Sequence, residues 1–144
     1  MRSFLETIRL TRIQLHARTG FALLLASMLP IGKNHFGNGT QLIVIYTEAA
    51  PIFMALFVIP ALLSGAMLLT TRPVLRTFLA LTTIPFLIGG SALVHFMTEE
   101  FKTHRPSRAI GYYLCEFAAL LLALLCLLQI VDFFRASRST NRAA

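Results

Sequence analysis

Residues 109–134, AIGYYLCEFAALLLALLCLLQIVDFF, leave this chain few options. From Phe117 to Leu128 the only polar side chain is the thiol of Cys126. With 1.5 Å of helical rise per residue, about 20 apolar residues cross a hydrocarbon core of roughly 30 Å, so this segment is long enough to span a bilayer. One ionisable group, Glu116, sits well inside it. A carboxylate at such depth costs on the order of 3 kcal/mol even on permissive insertion scales, and it needs a partner, a proton or water. Its helical neighbours at i−4, i+3, i+4 and i+7 are Tyr112, Ala119, Leu120 and Ala123. Small residues mark the side on which membrane helices approach one another, so Glu116 is expected to look into a helix bundle.

Composition agrees. Of 144 residues, 56% are hydrophobic and 13% charged, about half the charge of a soluble domain. The apolar residues come in long blocks, which implies one compact membrane domain without a separate soluble one. A net charge of +7 would suit nucleic acid, but the 13 Lys and Arg gather at block edges. There they act as topology signals and as contacts for anionic lipid headgroups, so nucleic acid is not expected as a partner. Cys115 and Cys126 share the last helix about 16 Å apart, too far for a disulfide. No G-x-S-x-G, phosphate-cradling glycine loop or C-x-x-C occurs, and the chain reads as a non-catalytic membrane protein.

Taken in order, residues 1–18 carry Arg2, Arg9, Arg12 and Arg18 against Glu6, and read as a short basic interfacial segment. The first span is expected at about 19–36, short but flanked by Arg18 and Lys33, which can snorkel. A turn-rich loop with Asn38-Gly39 follows. The second block, 41–69, contains Glu48, Pro51 and Pro60. It is either one tilted, kinked helix or a helix starting near Thr47 with QLIVIY as an interfacial segment. The third span is expected at 74–97, with Pro73 in its first turn, and the fourth at 109–134. Residues 135–144 are expected to form a basic disordered tail. Ala61, Gly65, Gly89, Ala119 and Ala123 are the expected helix-packing positions. The fold class is all-α, an integral membrane four-helix bundle.

Four spans place residues 2, 9, 12, 18, 72, 76, 135, 138 and 142 on one side, nine of the 13 Lys and Arg. The positive-inside rule makes that side cytoplasmic and puts both termini there, in a multi-pass protein of a bacterial inner membrane. His35, His95, Glu99, Glu100 and His104 then share the outer side, with Glu48 and Glu116 about 9–10 Å beneath it. Imidazoles with carboxylates are metal ligands in principle, but these five surface candidates lack the tight spacing of a metal motif. Haem is disfavoured because only His95 lies well within a helix. Glu116, His95, Glu48 and Tyr112 remain as a proton relay or a quinone contact. Against that stands a structural role, in which Glu116 pairs with Arg105, Arg108 or Tyr112 and His95 caps its helix.

Three stretches carry a family resemblance. They are SGAMLLTTR at 64–72, a third helix ending in His95, and YYLCEFAALLLALL at 112–125. Over about residues 60–130 the chain resembles the DoxX family of small four-helix membrane proteins. The resemblance implies an accessory subunit of a quinone-linked oxidoreductase, with Glu116 and His95 carried over as site residues. The expected role is thus a small subunit or accessory protein of a larger membrane complex, associated with other membrane subunits. The alternative is a homo-oligomeric transporter or channel-like protein, with Glu48 and Glu116 lining a proton or ion path between copies of the chain.

Overall fold

The computed structural model describes residues 2–36, 39–45, 51–100 and 107–141. Among them are four α-helices: α1 (Arg2–Ser27), α2 (Ala55–Leu69), α3 (Pro73–Glu100) and α4 (Ile110–Asn141). A 3-10 turn, Pro51–Met54, leads into α2. Two strands, β1 (Pro30–Phe36) and β2 (Gly39–Val44), lie between α1 and α2, and β3 (Ser107–Arg108) precedes α4. Together they form an antiparallel sheet in the order β2-β1-β3 at one end of the bundle. Three stretches, Pro51–Leu69, Pro73–Glu99 and Ile110–Arg138, are long and apolar enough to cross a membrane.

Both ends of the chain differ from the sequence expectation: α4 continues through residues 135–141 of the expected disordered tail, and the start differs too. Residues 2–18 are not a separate segment; they belong to one helix that continues to Ser27. That helix stops where residues 28–36 were expected to carry the first span onward. Met28 and Leu29 donate their N–H groups three residues back, to Leu25 and Ala26, which tightens the last turn. Ser27 Oγ donates to the Leu24 carbonyl at 2.7 Å. Pro30 has no N–H to continue the ladder, and the chain turns into β1. Residues 41–44, which the sequence places either in a long helix or in an interfacial segment, pair instead with β1. The antiparallel pairing runs as far as Phe36 opposite Gly39; the rest of the expected turn-rich loop, residues 37 and 38, lies outside the described residues.

Packing runs round a square. α1 lies between α2 and α4, and α3 lies between the same two helices. Successive helices run in opposite directions, so every neighbouring pair is antiparallel. At the α1–α2 crossing, a methyl group on Gly20 would stand 2.7 Å from Ser64 Cβ, so only glycine permits that approach. Two core clusters fill the interior. The one at the sheet end joins Leu23, Phe57, Val94 and Leu122 to Ile31 and Ile43 of the sheet. The other, further from the sheet, joins Ile13, Met67, Ala80 and Cys126. The outward faces carry large apolar side chains such as Phe78, Ile88, Phe117 and Leu120, as helices surrounded by lipid do.

α4 begins against the hairpin. Ala109 donates to the Ile31 carbonyl at 2.9 Å, and β3 pairs Gly32 with Arg108. A methyl on Gly111 would stand 2.5 Å from the Pro30 carbonyl oxygen and 2.8 Å from that of Leu29. The sheet therefore fixes where α4 starts, and with it the depth of every side chain on that helix.

Candidate functional site

Hydroxyl groups in an apolar helix usually hide by bonding to their own backbone. On α3 this is the rule. Thr77, Thr82, Thr83 and Thr98 each donate to a carbonyl three or four residues earlier, at 2.8–3.0 Å. Ser91 departs from it: its Oγ lies 2.8 and 2.7 Å from the two carboxylate oxygens of Glu116 on α4. The single hydroxyl proton is shared between them. Among the described residues Glu116 has no ion pair.

One turn toward the sheet, the same two helices meet again. Tyr112 Oη and His95 Nδ1 lie 2.9 Å apart, with ring centroids 6.0 Å apart. Ser91 and His95 are four residues apart on α3, as are Tyr112 and Glu116 on α4, so the two contacts are successive rungs of one antiparallel register. Tyr112 is buried, whereas His95 is exposed. Arg108 does not reach Glu116 as a counter-ion; its guanidinium carbon stands 4.5 Å from the Tyr112 ring centroid. Cation–π attraction explains that placement.

Glu116 and Ser91 form the polar side of a narrow cleft with room for about one water molecule. Leu23 of α1, Phe57 of α2, and Leu87 and Val94 of α3 supply its apolar walls.

The remaining candidates divide. Glu99 is exposed at the sheet end of α3. Glu48, His104 and Arg105 lie outside the described residues, as do the side chains of His35 and Glu100. Among the described residues no three His, Cys, Asp or Glu side chains come together as a metal-sized group. Ala119 and Ala123 pack against the core at the sheet end, Ala61 lies against Gly20 of α1, and Gly89 faces Leu56. A methyl on Gly65 would meet nothing within 4 Å, so that position is not a tight crossing.

Sequence reasoning missed a second polar group at the far end of the bundle. Arg12 of α1 forms an ion pair and hydrogen bond with Asp132 of α4. One turn along α1, His16 is 3% exposed and donates from Nδ1 to the Arg12 carbonyl at 3.1 Å. Asp132 and Glu6 are the two acids on the side that carries nine Lys and Arg, and that scarcity was the available signal. Comparison with known protein families, with characterised proteins and with solved structures finds no match for this chain.

Proposed function

We propose that this chain is a four-span subunit or accessory protein of a larger complex in a bacterial inner membrane, and that a quinol-type carrier docks beside Glu116. Glu116 is the proton acceptor, Ser91 holds its carboxylate, and Tyr112 with His95 lead toward the outer face. One observation carries this reading: a carboxylate within a long apolar helix is held by a serine hydroxyl, with no ion pair among the described residues, beside a narrow apolar cleft. Ionisable groups in such surroundings are retained for a task, because apolar packing would be more stable. A quinol losing two electrons also releases two protons. The electrons go to an acceptor in the host complex, and Glu116 takes a proton at the carrier's hydroxyl. The DoxX resemblance favours the same assignment through Glu116 and His95.

Both termini are cytoplasmic in this reading, and the sheet lies on the outer side. α1 crosses as the fourth span. Its 26 residues make about 39 Å of helix, and it packs lengthwise between α2 and α4. Arg2, Arg9 and Arg12 fall in its half away from the sheet, the end that meets anionic headgroups in this reading, and Arg18 lies past its middle.

The test is purification in mild detergent followed by native mass measurement and extraction of bound quinone. One copy of the chain with foreign subunits and a bound quinone is the expected result. A ring of identical copies without quinone contradicts it, and would favour a transporter with its path between copies.

A further inference from the structure

Pro60 lies inside α2 and is fully buried. A proline has no N–H to return to the carbonyl four residues earlier, and its ring crowds that carbonyl out of line. On α2 the carbonyl concerned is that of Leu56. Its oxygen reaches α3, where it lies 3.6 Å from the place a Cβ on Gly90 would take. Leu56 and Gly90 both line the narrow cleft beside Glu116 and Ser91.

Two acceptors therefore border one small space. An ionised carboxylate only accepts hydrogen bonds, and it has about four places for them. Ser91 supplies Glu116 with a single proton. The carboxylate and the Leu56 carbonyl cannot bond to each other, but a molecule with two protons joins them by donating one to each. The cleft has room for about one water, and a buried water needs two to four polar partners. Ordered water is also one of the ways in which membrane helices satisfy a carbonyl freed by proline. Cys115, which lines the cleft as well, has one weakly donating thiol proton and cannot serve both acceptors.

We propose that a single ordered water bridges the Leu56 carbonyl of α2 to the Glu116 carboxylate of α4, with Pro60 as the residue that positions it. Three helices then meet at one polar point: α2 through its carbonyl, α4 through its carboxylate, and α3 through the Ser91 hydroxyl. α2 carries no charged side chain, and its part in the site is made by backbone alone. The water solvates Glu116 in its charged form and keeps it ready to accept a proton. That consequence rests on the functional reading above; the bridge itself does not.

The test uses the full chain in lipid nanodiscs, with 13C in the leucine carbonyl and the glutamate side-chain carboxyl, and 15N in phenylalanine. Leu56-Phe57 is the one Leu-Phe step in the sequence, so the Leu56 carbonyl is assigned by its coupling to 15N. Glu116 is assigned by the loss of its signal in Glu116→Gln. Magnetisation started on water protons is expected to reach both carbons. Pro60→Ala returns a helical N–H to the Leu56 carbonyl. In that variant transfer to Leu56 is expected to disappear, and the Glu116 signal to shift and lose most of its own transfer. Pro85→Ala in α3 returns an N–H to the carbonyl of Leu81, an exposed residue away from the cleft, and is expected to change neither signal. No transfer to either carbon in the parent chain, or a Pro60→Ala variant that keeps transfer to both, overturns the bridge. Exchanging potassium for sodium in the buffer is expected to leave both signals in place. A sodium-dependent shift of Glu116 overturns the water in favour of a bound cation. No quinone or partner chain is present, so failure of the bridge leaves the carrier proposal to its own test, and a complex found without quinone leaves the bridge standing.

Discussion

Ser91 is the residue on which the site turns. Four threonines of the same helix satisfy themselves on backbone carbonyls, and Ser91 alone among these hydroxyls spends its proton on a side chain of another helix. Ser91→Ala is therefore expected to destabilise the protein by about 1.5–3 kcal/mol, the range for a hydrogen bond to a charged group. Ser91→Thr, which keeps the hydroxyl, is expected to recover most of that loss. Thermal unfolding in detergent reads both, and an unchanged midpoint for Ser91→Ala contradicts the contact. Glu116, Tyr112 and His95 were legible from the sequence because depth and helical spacing follow from counting residues. Ser91 as the partner of Glu116 was not, since it depends on how far α3 is slid along α4, a quantity set by packing. The same holds for Arg12 and Asp132, 120 residues apart in the chain. That exposed pair is worth about 0–1 kcal/mol, so it marks where the helices meet more than it holds them together.

Among the elements, the hairpin carries the most consequence for the site. It seats the first turn of α4 against the Leu29 and Pro30 carbonyls, which are backbone atoms with little room to move. Gly111→Ala is expected to cost about 1–3 kcal/mol by overpacking and to shift α4 along its axis. Denaturation midpoints measure the cost, and a variant as stable as the parent contradicts the close approach. Ala123→Phe belongs to the same scale. Ala123 packs against the core at the sheet end, and a phenyl ring there is expected to disrupt folding or assembly, read as loss of accumulated protein. Normal accumulation places that face toward lipid. The helices were legible because long apolar blocks leave no alternative. The strands were not: a short apolar run such as residues 41–46 fits a strand, a helix end or an interfacial segment equally, and no regular alternation marks PIGKNHF at 30–36. Sequence alone divides α1 at Arg18, because the basic residues before it and the apolar residues after it suit different environments. As one helix it meets both in sequence, with arginines toward one end and Leu23 and Ala26 buried toward the other.

At the scale of the whole molecule, the proposed four-span arrangement puts the two ends of the antiparallel bundle on opposite sides of the membrane, with the more basic end inside. Cys115 and Cys126 are buried, so single added cysteines report cleanly on topology. In intact cells Lys33→Cys is expected to react with an impermeant thiol reagent and Ser137→Cys is not. Equal labelling of both contradicts the four-span arrangement. The account as a whole stands on Glu116 being a working group in this bundle and not a packing element. Glu116→Gln tests that most directly, because the amide keeps the shape and a hydrogen bond to Ser91 while removing the proton-accepting charge. Assembly of the host complex and its turnover are measured together on this variant. The account predicts an assembled complex of normal stability that has lost turnover; an assembled complex with full activity, or one that fails to assemble, contradicts it.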